Sequence, residues 1–217
     1  MKPILFAHPF SSYSQKVLIA LYENDTPFTF RMLDDAAGFA ALEALWPLKR
    51  FPVLDDNGST VVEASIIIEH LAQHYPGPVR LLPNDPVAAL QVRFLDRFFD
   101  NYVMTPMQKV VLNQLRPEGE RDPKGVVEAK ATLEVAYAWL EGTIKNHAWA
   151  AGDEFSLADC AAAPSLFFAD WVHPIGRKFS SVQAYRSRLL ARPSFARAVN
   201  EARPFRVLFP LGAPDRD

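Results

Sequence analysis

A single cysteine, Cys160, stands in a chain of 217 residues. One thiol can close no internal disulfide and build no cysteine-rich metal site, so the fold does not depend on an oxidising compartment. A surplus of either charge is missing too, with 23 Lys plus Arg against 25 Asp plus Glu and a formal net charge of -2. Binding to a nucleic-acid backbone, or anchoring by a polybasic segment, needs a basic excess that this balance lacks. No apolar run nears the ~18 residues that cross a bilayer. Residues 1–7 lead into a strand-like stretch without the basic region, apolar segment and small-residue cleavage site of a secretory signal. The expectation is a soluble, cytoplasmic protein with no nucleic-acid and no membrane partner.

What is present is ordinary globular material, 49% apolar and 12% aromatic, long enough to bury a large core. The first third alternates extended and helical signals. Ile4-Leu5-Phe6 is a compact strand candidate, and Pro9 breaks the chain before a polar run in which a helix starts, with Val17, Leu18 and Leu21 on one side. Phe28, Phe30 and Met32 alternate with Thr29 and Arg31, the period of a half-buried strand. A helix over 36–45 stops at Trp46-Pro47, because the residue before proline is pushed off helical angles. Asn57-Gly58 supports a tight hairpin between strands at 53–55 and 60–62, and Ile67, Ile68 and Leu71 give helical spacing over 65–75.

Beyond residue 75 the strand signal vanishes. Pro76, Pro78, Pro83 and Pro86 mark a linker. From Pro86, apolar Leu90, Phe94, Phe98 and Tyr102 recur every four residues and predict a long helix with an aromatic face; Leu133, Tyr137, Leu140 and Ile144 predict a second. Ser156-Leu157-Ala158-Asp159 has the spacing of a reciprocal helix cap, and two shorter helices follow near 181–190 and 194–201. The reading is an α/β unit over 1–77, a linker over 78–86 and an all-α unit over 87–217.

Three segments of the first unit lie where strands end or helices begin: Ser11-Ser12-Tyr13-Ser14-Gln15-Lys16-Val17, Lys49-Arg50-Phe51-Pro52-Val53-Leu54 and Val62-Glu63-Ala64-Ser65. In this order, followed by a helical unit carrying Ser156 and Asp159, they resemble the soluble glutathione transferases, of a bacterial-like serine type. The resemblance covers essentially the whole chain. It implies a thioredoxin-like domain that binds glutathione and an all-α domain that shapes the pocket for an electrophilic co-substrate. It also implies a homodimer.

The chemistry in question is thiol acidity. A free thiol of pKa ~8.5 is only a few per cent thiolate at neutral pH, and lowering that pKa by ~2 units takes ~2.7 kcal/mol of preferential anion stabilisation. A serine hydroxyl is too weak a base to take the proton, but it can donate to the sulfur anion while helix-terminal amides add ~0.3 to 1 kcal/mol. Set against the zeta-like pattern Ser-Ser-Cys-Ser, Ser11 falls on the catalytic serine, Ser12 on its neighbour, and Tyr13 replaces the cysteine. The glutaredoxin and omega-type pattern also puts Ser11 at the reacting position. Capping of the first helix is the competing reading of Ser11, Ser12 and Ser14.

The resemblance further implies that Pro52 is cis and frees the backbone of Phe51 to pair with the cysteinyl part of glutathione, that Arg50 approaches the glycyl carboxylate, and that Glu63 meets the γ-glutamyl ammonium. An exposed loop charge for Arg50 and an acidic helix start for Glu63 are the plain alternatives. One departure stands out: the family commonly follows the acid with serine, whereas here Ala64 follows Glu63 and Ser65 comes one place late. The amide of Ala64 can still hold a carboxylate, and Ser65 compensates only if its hydroxyl turns in. For the co-substrate, Phe98, Tyr102, Met104 and Met107 are candidates on the long helix, with Phe10 and Trp171 as opposing walls. His70 and His74 have the spacing of paired ligands but no third partner, so no metal is expected. A zeta-like isomerase and a non-catalytic glutathione-binding module are the alternatives to conjugation.

Overall fold

The computed structural model describes residues 2–217, so the first residue of the 1–7 segment lies outside them. The first unit holds β1 (Ile4–Ala7), α1 (Ser12–Glu23), β2 (Thr29–Met32), α2 (Ala36–Leu45), β3 (Val53–Asp56), β4 (Ser59–Val62) and α3 (Ala64–His74). The sheet order is β2-β1-β3-β4, with β1 parallel to β2 and antiparallel to β3, and β3 and β4 forming a hairpin. Its turn has Asn57 and Gly58 at φ 54° and 88°. A type I′ hairpin turn needs positive φ at both places, which is what this dipeptide supplies.

The helical unit holds α4 (Pro86–Phe98), a π-helical segment (Phe99–Met104), α5 (Thr105–Leu115), α6 (Pro123–Thr143), α7 (Leu157–Val172), α8 (Ser180–Ala191) and α9 (Pro193–Ala202). The single long helix expected from Pro86 is therefore interrupted. Pro106 has no N–H to give to the carbonyl four residues back, and the Thr105 hydroxyl donates to the Asp100 carbonyl at 2.9 Å, so the register widens there. The chain axis shifts just where Asp100 and Asn101 face the first unit.

α7 is the pillar of the molecule, buried along nearly its whole length. Asp159 secures its start by accepting from the backbone N–H of Ser156 (2.8 Å) and Ala150 (2.8 Å), the Ser156 hydroxyl (2.9 Å) and the Tyr185 hydroxyl (2.6 Å). Cys160 beside it is fully buried, and burial pushes its thiol well above the ordinary value, consistent with an inert core residue. α1 packs on α3 with one side and on α7 and α9 with the other. Every residue from Ser14 to Leu21 is consequently buried, which explains why one apolar stripe in the sequence understates this helix. Arg192 adds a bidentate pair to Glu23, with both distances 2.6 Å. Among the described residues no helix is long and apolar enough to cross a membrane, and no group of three or more His, Cys, Asp or Glu side chains is placed to hold a metal ion.

Candidate functional site

A cavity of about 500 Å³ opens between the two units. Ser11 and Tyr13 line it from the start of α1, Trp46, Lys49, Arg50, Phe51 and Pro52 from the loop before β3, and Glu63 and Ala64 from the start of α3. Arg97, Asp100, Asn101 and Gln108 close it from the helical side.

The loop between β1 and α1 is held by its own polar groups. The Ser11 N–H donates to the His8 carbonyl (3.0 Å), the Phe10 N–H to His8 Nδ1 (3.2 Å), and the Gln15 amide to the Pro9 carbonyl (3.0 Å). Nδ1 accepts only when unprotonated, and burial holds the His8 ring below its ordinary value of 6.5 against the opposing pull of Asp34. Ser11 is the N-cap of α1, its Oγ accepting from the Ser14 N–H at 3.3 Å. That bond occupies a lone pair and leaves the hydroxyl proton without an acceptor among the described residues. Capping and donation to a ligand are therefore compatible on one side chain. Tyr13 follows on the cavity wall; burial, then the nearby Asp100 charge, pushes its phenol up to about 12, so at neutral pH it is a donor and not a base.

The Phe51–Pro52 peptide is cis. Across the cavity, Glu63 sits at φ 70°, ψ 120°, a left-handed backbone setting that a non-glycine residue adopts at a cost of about 1 to 3 kcal/mol. No side chain caps α3, and Ile67 makes the first helical bond to the Glu63 carbonyl. The N–H groups of Ala64, Ser65 and Ile66 are thus open at a positive helix end, beside an exposed carboxylate. The strained turn aims both at the cavity.

Beneath this turn lies a buried charge cluster. Lys16, 1% exposed, reaches Asp96 Oδ1 at 2.5 Å, Asp100 Oδ2 at 2.8 Å and Ser65 Oγ at 2.9 Å. The Ser65 hydroxyl donates to Asp96 Oδ2 at 2.8 Å, and Arg97 Nη2 also contacts Ser65 Oγ. Two cations and two anions cancel, as burial requires. Asp100 Oδ1 has neither a hydrogen-bond nor an ion-pair partner among the described residues, and desolvation, with the neighbouring Asp96 charge, raises its pKa despite Lys16.

Ser11, Tyr13, Arg50, Phe51, Pro52, Glu63 and Ala64 are brought together as the sequence predicts. Others are not. Ser12, ~100° further round the helix, is buried and does not line the cavity. The Ser65 hydroxyl is engaged by Lys16, Asp96 and Arg97 and does not turn in. None of the residues expected to form the co-substrate wall lines this cavity: Met104 and Met107 are core residues, Phe98 packs 4.3 Å from Trp139, and Tyr102 is 53% exposed. Phe10 and Trp171 do meet, 6.5 Å apart, around Phe168, and neither lines the cavity. Sequence reasoning did not single out Trp46, Lys49, Arg97, Asp100, Asn101 or Gln108, which line the cavity. The available signal was the charged trio Asp96, Arg97 and Asp100 inside an otherwise aromatic helix.

Comparison with known proteins follows the same division of the chain. The profile "Glutathione S-transferase, N-terminal domain" matches residues 5–79, and "Glutathione S-transferase, C-terminal domain" matches 101–193. A glutathione S-transferase of Hypomyces subiculosus is 27% identical over 199 residues, covering 87% of this chain and 94% of its own. A probable maleylacetoacetate isomerase of Caenorhabditis elegans is 25% identical over 207 residues, covering 94% and 95%. Among solved structures, a Methylobacterium radiotolerans glutathione S-transferase in complex with glutathione sulfonate superposes with a TM-score of 0.80 at 28% identity, covering 92% of this chain and 95% of its own. With a thioredoxin-like sheet, an all-helical second unit and both profiles in register, this chain belongs to the glutathione transferase family.

Proposed function

We propose that the chain binds glutathione in the cavity between its two units, lowers the thiol pKa with Ser11, and transfers the sulfur to a small electrophile. The donor set suits this tripeptide. Open α3 amides face a carboxylate, the exposed Glu63 faces an ammonium, and Arg50 supplies a cation for the second carboxylate. The observation that carries the mechanism is Ser11: its lone pair is tied to Ser14 while its proton is free, at the positive end of α1. An accepted amide hydrogen bond polarises a hydroxyl and makes it a better donor to an anion. Titrating glutathione into the protein at neutral pH is expected to give heat and an ultraviolet thiolate band. Binding without the band favours the non-catalytic module, and no binding overturns the assignment. The isomerase reading is supported by the Caenorhabditis elegans relative, and turnover of chloronitrobenzene against maleylacetoacetate separates the two reactions.

We also propose that two copies associate. Leu90, Phe94 and Tyr102, 68%, 46% and 53% exposed, form with Val135 and Trp139 of α6 an apolar surface joined by the Phe94–Trp139 contact. Such a patch marks an interface more often than bare surface. Sedimentation is expected to give twice the chain mass, and Phe94→Lys to halve it; a monomeric wild type contradicts the assignment.

A further inference from the structure

Arg97 comes from the far end of α4, more than thirty positions after the α3 start, yet its guanidinium lies against Ser65 Oγ. Its Nε donates to Asp96 Oδ2 at 3.0 Å, and its Nη2 to the same oxygen at 2.8 Å and to Asp100 Oδ2 at 2.5 Å. Both carboxylates are buried and themselves fixed by Lys16. One edge of the fork is therefore clamped. Nη1 donates to nothing among the described residues, the side chain is 50% exposed, and Arg97 lines the cavity together with Ala64.

A guanidinium fixed through Nε and Nη2 and free at Nη1 is a preorganised donor for one carboxylate oxygen, since its planar group keeps its direction without further loss of freedom. It also stands at the one place where the family pattern fails, beside Ala64. Resting on the glutathione reading, we infer that Arg97 Nη1 holds the α-carboxylate of the γ-glutamyl head group, replacing the serine that the family carries where this chain has Ala64. The open amides of α3 supply the other donors. The ligand's ammonium then lies near the exposed Glu63, so a zwitterionic head group meets a cation and an anion already arranged for it. Ser65 keeps a structural task, tying α3 to Lys16 and Asp96.

The test pairs a protein change with a ligand change. Calorimetry compares glutathione with γ-aminobutyryl-cysteinylglycine, which lacks only the α-carboxylate, on wild type, Arg97→Gln and Arg97→Lys. Wild type is expected to favour glutathione by about 10- to 100-fold, the range of a charge-assisted hydrogen bond. Arg97→Gln is expected to lose most of that preference, the α3 amides keeping the remainder, while binding the truncated peptide as wild type does. Arg97→Lys, a charge without the fork, falls between them. Equal weakening of both ligands, or unchanged glutathione binding in Arg97→Gln, overturns the assignment. Wild type that binds glutathione but does not discriminate the truncated peptide overturns it without any variant. Wild type that binds neither ligand overturns the glutathione reading itself.

Discussion

Ser11→Ala is expected to slow the transferase reaction at neutral pH by about 10- to 100-fold, because a hydrogen bond to an anion is worth roughly 1.5 to 3 kcal/mol. The loss should be a shift and not a uniform fall. Removing a donor to the sulfur anion raises the bound thiol pKa by about 1 to 2 units, at ~1.4 kcal/mol per unit. Below both pKa values the rate drops by the full factor; as pH rises through the raised pKa, variant and wild type converge. Two controls separate this from loss of the helix cap. Ser11→Gly keeps most of the capping stability, since glycine is tolerated at an N-cap to within a few tenths of a kcal/mol whereas alanine costs about 0.5 to 2 kcal/mol. Both variants should lose the same rate while differing in melting temperature. Ser11→Thr should retain activity. If the rate follows melting temperature across the set, or the acid limb does not move, Ser11 only caps α1.

How far the sequence reveals this site depends on where each residue's information lies. Ser11, Phe51, Pro52 and Glu63 sit at strand ends and helix starts, positions that local patterns mark, and the structure gathers them. Asn57-Gly58, Trp46-Pro47 and Ser156 with Asp159 likewise carry their geometry in adjacent residues. The helical wall is different. Phe98, Tyr102, Met104 and Met107 look alike in composition, and which of them faces a cavity depends on helix rotation. Phe98 precedes the π-helical segment and packs on Trp139; across 99–104 the rotation per residue changes, so spacing counted from Pro86 has lost its phase by Met107 and Gln108. Asn101 and Gln108 face the cavity as a result, and the predicted apolar wall is polar. The fate of Ser65 was equally hidden, because its partners Lys16, Asp96 and Arg97 lie on two other helices.

Lys16→Met is expected to be the most damaging single substitution in the first unit. Lys16 is 1% exposed and contacts two buried carboxylates. Methionine fills a similar volume, so the loss is electrostatic. Removing one partner of a buried ion pair typically costs about 3 to 5 kcal/mol, because the other charge stays buried and uncompensated. Against a usual total of about 5 to 15 kcal/mol, that is enough to bring a domain of ordinary stability close to unfolding at body temperature. Arg97 is half exposed and already shared between Asp96 and Asp100, so it cannot replace the buried ammonium. The remedy should come from the opposite side. Asp100→Asn combined with Lys16→Met restores neutrality, and the double variant is expected to be more stable than Lys16→Met alone. The pH response gives a second check. Desolvation already raises the Asp100 pKa in the wild type, and loss of Lys16 raises it further, so folded Lys16→Met binds a proton where its unfolded chain does not. Its stability should therefore rise as pH falls through that window, and this rise should be smaller in the double variant. Chemical denaturation across pH measures all three proteins. A Lys16→Met loss below about 1 kcal/mol would place the cluster in the class of screened surface pairs. A double variant no better than the single would show that the loss does not come from an uncompensated Asp100 charge.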